Sequence, residues 1–378
     1  MDPNVHAEAI APFVGELEGL RPAGAEVIDA HTHLGLDEDG RSLTPEALLE
    51  ALDAAGARRA CVFPLHDPER HPAYRVPNDR VLAWAAESDG RLIPFCRLDP
   101  ADGPIEEGER SLALGARGIK LHPRAQRFAF DGEALEPIAE IFALAERARV
   151  PILIHAGRGL PPIADGLADL ALRHPGAVLI LAHAAIADQA LLVERLTDHP
   201  GVLYDVSTWS VFDLFELFAR VPPERIVFAT DPPYGNPATG LYTALRVARA
   251  VGLDDEAMRL FLGGTIASVI DGPGLGPISE PVGARTHELP GPVLRLYGYL
   301  IPAGPALFAG LPEAARGMIE LAEAVCRDPE PGPLGPLFED VGRALAATSV
   351  LLDAGPEGIR PVLDIVQRCL ARTATVET

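Results

Sequence analysis

Val27-Ile28-Asp29-Ala30-His31-Thr32-His33-Leu34-Gly35 is an apolar, β-branched run that ends in two histidines separated by one residue. The composition predicts a strand, and side chains along a strand alternate between faces, so His31 and His33 point to the same side. Two imidazoles fixed on one face are the beginning of a metal site suited to zinc, manganese or iron, which needs one or two further ligands. Two later runs offer them. Ile152-Leu153-Ile154-His155-Ala156-Gly157 and Phe228-Ala229-Thr230-Asp231 also end in ligand-bearing side chains, which makes His155 the natural third ligand and Asp231 the fourth.

Outward from this stretch the pattern repeats. Short apolar runs fall at Val27 to His31, Ala60 to Pro64, Leu92 to Arg97, Arg117 to His122, Pro151 to His155, Ala177 to His183, Val202 to Val206 and Ile226 to Asp231. Between them lie stretches with helical spacing, among them Pro45 to Ala54, Asn78 to Ala86, Leu135 to Ala148, Ala187 to Leu196 and Ala244 to Val251. Strand alternating with helix predicts βαβ units and a parallel sheet. Five of the runs end in His or Asp, namely His31 with His33, His122, His155, His183 and Asp231. Closure into a barrel brings such ends together at one face, whereas an open doubly wound sheet would spread them apart. The expected fold is therefore α/β, a (β/α)8 TIM barrel.

After Ile270 a Gly/Pro-rich passage, Asp271 to Gly283, leads to helical segments near Leu294 to Leu300, Pro312 to Cys326, Leu337 to Asp353 and Ile359 to Arg372, with a Pro-rich connector at Asp328 to Pro336. This predicts two units, a metal-dependent barrel over residues 1–277 and a helical C-terminal extension over 278–378. Whether the extension caps the barrel mouth, packs on its side or joins two copies is open at this stage.

Composition narrows the function. The 378 residues are 48% hydrophobic, with no long uncharged apolar run, so a large core is expected and a membrane span is not. Met1 to Ile10 lacks a basic segment followed by an apolar stretch, which makes a cytoplasmic location the expectation. A formal charge of -22 argues against nucleic acid and anionic membranes as partners and leaves a small-molecule substrate; a homodimer is the commonest assembly for such chains. Cys61, Cys96, Cys326 and Cys369 are widely spaced and read as small buried hydrophobes. Lys120 is the only lysine of the chain. Arginine preference alone would explain its solitude, but a lysine inside an apolar strand is costly unless it is paired or used.

The set Asp29-Ala30-His31-Thr32-His33, Gly118-Ile119-Lys120-Leu121-His122-Pro123, Ile154-His155-Ala156-Gly157, Leu181-Ala182-His183 and Ala229-Thr230-Asp231-Pro232-Pro233, in that order, resembles the amidohydrolase superfamily, in the branch known as amidohydrolase family 2. The resemblance covers roughly Val27 to Ile270. Relatives follow strand eight with Gly-Gly-Asn where this chain has Gly263-Gly264-Thr265, and threonine can still cap a helix. The resemblance implies one divalent ion, zinc first and manganese or iron next, held by His31, His33, His155 and Asp231, with His183 as a catalytic residue. A second ion bridged by a carboxylated Lys120 and bound by His183 is the other arrangement known in the family; one ion is favoured over two.

Such an ion acidifies a bound water and polarises a carbonyl. Asp231 would take the proton and His183 would steady the oxyanion or protonate the leaving group, giving a metal-dependent hydrolase of C–N or C–O bonds. In the alternative, non-oxidative decarboxylation of an aromatic or vinylogous acid, the same residues would deliver a proton to carbon. A non-catalytic scaffold would be expected to lack a ligand, and none is missing. Lys120 and His122 share a strand face and could both line the pocket. Arg97, Arg124, Arg127 and Arg158 fall just beyond strand ends. Single loop arginines are usually solvated, but a guanidinium fork suits a carboxylate, which predicts a small carboxylate-bearing substrate with Arg124 and Arg158 as anchors. The loop His66 to Arg75, with His66, His71 and Tyr74, is an ordinary surface loop in its plainer reading and a wall of the mouth in the other.

Overall fold

Each of the apolar runs becomes a buried strand. In chain order the strands are β1 (Ile28–Leu36), β2 (Ser42–Leu43), β3 (Arg59–Pro64), β4 (Leu92–Pro94), β5 (Cys96–Arg97), β6 (Ile119–Leu121), β7 (Pro151–Ile154), β8 (Val178–Leu181), β9 (Val202–Asp205) and β10 (Ile226–Val227). The computed structural model describes residues 3–376 apart from 133–134, 209, 284–287 and 328–331. Apart from β2, which lies antiparallel on the end of β1, neighbouring strands are parallel, in the orders β1-β3-β4 and β10-β9-β8-β7-β6-β5. β4 and β5 are two parts of one extended segment, which pairs with β3 on one edge and β6 on the other, and Phe95 N–H donates to Val62 O (2.8 Å) between them. Across the remaining seam Ala30 N–H donates to Phe228 O (2.8 Å), Asp231 N–H to His31 O (2.8 Å) and His33 N–H to Pro232 O (2.9 Å). Eight strand positions thus follow one another around a (β/α)8 TIM barrel.

The period of two sorts each strand into an inner and an outer side. On β7, Leu153 joins the cluster inside the barrel, with Phe63, Phe95, Ile180, Leu203 and Val227, while Ile152 and Ile154 face the helices. On β6, Ile119 and Leu121 face outward, which turns Lys120 inward. β1 needs an additional device. Ile28 and Ala30 are already inside, so strict alternation would turn His31 and His33 out. The register against β3 advances by three residues from Asp29 to Thr32 and by two from Ala60 to Val62. That one-residue bulge reverses the parity and brings both histidines inward, a re-aiming that bulges commonly perform beside active sites.

The helices expected around the barrel are present, for example Pro45–Ala55, Leu135–Ala148 and Pro237–Val251. An additional helix, Pro3–Leu20, was not marked by a strong apolar stripe in the sequence. The C-terminal segments form helices Gly291–Leu300, Ala303–Phe308, Pro312–Arg327, Gly335–Asp353 and Pro356–Ala374; of the expected connector, 328–331 lie outside the described residues and its end, from Gly335, begins a helix. The last helix packs on the barrel helix Pro237–Val251, and Pro3–Leu20 packs against both. Buried Asp364 joins them: it accepts from Thr239 Oγ1 and Arg368 Nε (2.9 Å) and lies 2.9 Å from His6 Nε2. The C-terminal helices also reach the mouth. Arg360 donates to Pro233 O (2.8 Å), and the Arg41 guanidinium lies over the rings of Tyr234 (5.2 Å) and Phe308 (5.1 Å). No described helix is long and apolar enough to cross a membrane.

Candidate active site

The C-terminal ends of the strands converge on a cluster of histidines. His31 Nε2 and His33 Nε2 are 3.3 Å apart, and Asp231 Oδ1 lies 3.1 Å from the first and 3.0 Å from the second. Asp231 Oδ1 is buried without a hydrogen-bond donor of suitable geometry, and His33 Nδ1 is likewise unpartnered. A tetrahedral ion with ligands at about 2.0 Å sets its ligand atoms about 3.3 Å apart, so these three atoms have close to the spacing of a metal's ligand shell and fit a divalent ion. His31, His33 and Asp231 form one such group among the described residues; His31, His183 and Asp205 form a second.

The second group is already joined by hydrogen bonds. Asp205, at the end of β9, lies 2.8 Å from His31 Nδ1 and accepts from His183 N–H (2.8 Å) and from Ser207 N–H (2.9 Å) and Oγ (2.5 Å). A carboxylate on Nδ1 fixes the tautomer that leaves Nε2 free to ligate, the usual support of a metal-bound histidine. Asp29 plays a parallel part across the seam. Fully buried, it accepts from His31 N–H (3.1 Å), Thr230 N–H (3.1 Å) and Thr230 Oγ1, tying the backbones that carry His31 and Asp231.

His155 stands beside the trio, outside both groups. Its Nδ1 is 2.9 Å from His183 Nε2, and its ring stacks on His122 with centroids 3.9 Å apart and an interplanar angle of 12°. His183 Nδ1 lies 2.8 Å from Ser207 O. Gly157 makes room for this pair, because a Cβ there would come within 3.0 Å of both rings. Backbone strain accompanies the placement: His183 (φ 59°), Ala184 (φ 54°), Ala185 (φ 55°) and Asp231 (φ 59°) all occupy the left-handed region, at a cost of order 1–3 kcal/mol each that surrounding structure must offset.

Burial and mutual proximity set the charges. Burial and Lys120 push His31 down, but Asp231 and Asp205 outweigh them and raise it. Burial pushes His33 down to about 3 and holds His122, His155 and His183 below the ordinary range as neutral rings. Burial alone would raise Asp231, yet His31 and His33 beside it keep it well below the usual carboxylate range. Lys120 is fully buried, with Nζ 3.2 Å from His31 Nε2 and 4.6 Å from the Phe63 ring centre, and burial pushes it down to about 7. An imidazole-carboxylate trio with neutral histidines and a poised amine around it can hold a cation and move protons.

The arginines separate sharply. Arg124 is exposed, near Gly159; Arg158 is exposed and committed to Asp213 at 2.7 Å; Arg127 is exposed. Arg97, by contrast, is buried inside the mouth. The loop after β3 reaches the mouth as well, since Tyr74 is buried against Arg97 and its hydroxyl is 2.5 Å from His66 Nδ1; His71 stays exposed, on Asp102. Sequence reading passed over Asp205 and Asp29. Asp205 was an acid inside the apolar run Val202 to Val206, and Asp29 an acid inside the run Val27 to His31.

A family model described as amidohydrolase matches residues 28–271. No protein of curated function matches the sequence. Among solved structures, the apo IDCase of Metarhizium anisopliae is similar at 16% identity and a TM-score of 0.50, over 66% of this chain and 97% of that one. An uncharacterised TIM-barrel protein of Bordetella bronchiseptica (15%, 0.49; 65% and 98%) and 4-oxalomesaconate hydratase of Rhodopseudomonas palustris (15%, 0.46; 65% and 95%) are also similar. At 16% identity the likeness to the first of these speaks for the barrel alone, and the motif set with the family match speaks for descent: the chain belongs to the amidohydrolase family and is an enzyme.

Proposed function

We propose that the protein is a metal-dependent hydrolase that opens a C–N or C–O bond in a small carboxylate-bearing substrate. The observation that carries this reading is the spacing of His31 Nε2, His33 Nε2 and Asp231 Oδ1, three buried ligand atoms 3.0–3.3 Å apart. His31, His33 and Asp231 would hold the ion, with His155 or His183 beside them completing the shell. A single zinc, or manganese or iron in its place, is favoured, because the contacts of Asp205 with His31 and His183 are those of an orienting network. When bound, the ion supplies Lewis acidity and a water that ionises near neutral pH.

The chain's own groups do the rest. Asp231, held ionised by its histidine neighbours, accepts the proton from the attacking water. His183 donates Nδ1–H to Ser207 O, which leaves Nε2 to take up the proton that Asp231 receives and, once protonated, to steady the developing oxyanion or pass that proton to the leaving group. Lys120 and His122 line the floor on the β6 side. The same groups would serve non-oxidative decarboxylation, with protonation at carbon in place of attack by water.

The test is elemental analysis of the full chain purified without chelator, followed by a screen of cyclic amides, lactones and aromatic acids that carry a carboxylate. About one ion per chain, with ring opening that is lost on chelation and restored by zinc or manganese, is expected. Release of carbon dioxide in place of ring opening would move the assignment to decarboxylation. Absence of metal even after zinc, manganese and iron are added back would overturn both.

A further inference from the structure

Arg97 is a buried arginine whose guanidinium is only half used. It is 1% exposed, sits at the end of β5 and pairs in register with Lys120 of β6, so both side chains enter the barrel from adjacent strands. Its backbone is gripped by buried Asn78, which accepts from Arg97 N–H (2.8 Å) and donates to Arg97 O (3.1 Å). Its side chain is fixed by one hydrogen bond, Nη1–H to Pro64 O (3.1 Å), and by the Tyr74 ring 5.1 Å away. Tyr74 reaches that position from a loop in which Ala73 and Tyr74 both have left-handed backbone (φ 56° and 59°), held by Ala73 N–H donating to Asp102 at 2.7 Å.

Nε and Nη2 of Arg97 have no partner. These two atoms are one edge of the guanidinium, the edge whose parallel N–H groups match the two oxygens of a carboxylate. Among the described residues no carboxylate lies within ion-pair distance of Arg97. The nearest acid in the mouth, Asp37, is engaged by His66 N–H (3.1 Å) and Tyr234 Oη (2.9 Å). A buried cation with two free donors, whose nearest counter-charges, Asp37 and Asp99, act only from beyond ion-pair distance, is expensive to maintain in a folded chain. Burial as a structural pin would explain Nη1 and leaves the free edge unexplained.

The geometry points to Arg97 as the anchor for a carboxylate of the substrate, one separate from the group that reacts at His31, His33 and Asp231. The substrate class is then a small acid that carries its carboxylate on one side and its scissile or leaving group on the other, laid across the mouth from β5 to β1. This rests on the metal-dependent reading above and moves the anchoring role from the exposed Arg124 and Arg158 to Arg97.

Calorimetric titration of the full-length, zinc-loaded protein with succinate, glutarate and isophthalate, each beside its half-amide, tests the assignment. At least one diacid is expected to bind, with its half-amide about tenfold weaker or more, because the amide leaves the guanidinium edge unmatched. In Arg97→Met that preference should vanish, and Arg97→Lys, which keeps the charge and loses the fork, should restore part of it. In His31→Ala/His33→Ala the diacid should bind more weakly overall yet keep its preference. A folded Arg97→Met that still prefers the diacid would overturn the proposal. So would a wild type that binds no diacid below about 10 mM, or one that binds diacid and half-amide alike, a comparison that needs no variant to fold. Metal absent from a wild type that keeps an Arg97-dependent preference would refute the metal reading alone.

Discussion

The two halves of the barrel mouth handle charge in opposite ways. On the side of β1, β9 and β10, Asp29 and Asp205 are fully buried and Asp231 is half-buried at the rim, and each faces hydrogen-bond donors or histidine nitrogens within about 3 Å. On the side of β5 and β6, Arg97 and Lys120 are buried with no carboxylate in ion-pair distance among the described residues. The first half has the ligand spacing of a cation site. The second presents the unmatched edge of Arg97. On the reading proposed above, one small molecule would span the two halves, its reacting group toward β1 and β10 and its carboxylate toward β5.

The largest effect expected from breaking the first half is that of His31→Ala/His33→Ala. Removing two ligand atoms of the His31, His33 and Asp231 trio should take the metal content from about one ion to less than about a tenth, and with it several kcal/mol of transition-state stabilisation, about a thousandfold or more in rate. Elemental analysis and turnover on the same preparation check it, and retention of metal would show that His155 and His183 form the site by themselves. Asp205→Asn should act less severely. The ring of His31 would keep its place but lose the carboxylate that orders Nδ1, and metal affinity should fall about 10–100-fold, read by competition with a chelator. Unchanged affinity would make Asp205 a packing residue.

Lys120→Met probes the other half through pH. The folded amine is pushed down to about 7 from an ordinary 10.5, so between those values the folded protein binds fewer protons than the unfolded chain. Stability of the metal-free protein should therefore rise as pH climbs from 7 towards 10.5 and be at its lowest below 7. Lys120→Met should flatten that slope and be the more stable protein at pH 7, as denaturant midpoints at pH 7 and 9 would reveal. A wild type without the slope would mean that something in solution, such as a carboxylating carbon dioxide, neutralises the amine. The same variant counts ions: one ion surviving the substitution is expected, and loss from two to one would establish a lysine bridge.

The first half of the mouth was far more legible in sequence than the second, for physical reasons. His31, His33, His122, His155, His183 and Asp231 all close apolar runs, and barrel closure gathers those strand ends at one face, while periodicity sets His31 and His33 on a common side without fixing which. The bulge in β1 was not legible, because it is a register event between two strands and depends on β3 as much as on β1. Asp205 lies one residue before the end of the run Val202 to Val206, where an acid between tyrosine and valine reads equally well as the start of a loop. Arg97 shows the same ambiguity in its strongest form. At the end of a strand, arginine is ordinarily solvated, and only the fold of the loop 65–75 with Asn78 beneath it shuts this one away from water. The helix Pro3–Leu20 escaped notice because its burial is supplied by the last two helices of the chain, over three hundred residues later.

Arg158→Ala should have the smallest effect and yet discriminates between the two ways of choosing an anchor. By position alone Arg158 follows His155 and borders the mouth. In the fold it is 70% exposed and paired with Asp213 at 2.7 Å. An exposed ion pair contributes about 0–1 kcal/mol, so the melting temperature should move by no more than a few degrees. Turnover should change less than about threefold, since a solvated guanidinium already committed to a carboxylate has little to offer a second one. Arg97→Met alongside it should abolish the preference for a diacid. If the order were reversed, with Arg158→Ala costing the preference and Arg97→Met leaving it, the loop after β7 would have to close over the substrate and exchange Asp213 for it. The acid would then be held at the rim of the mouth, and the unmatched edge of Arg97 would need another occupant.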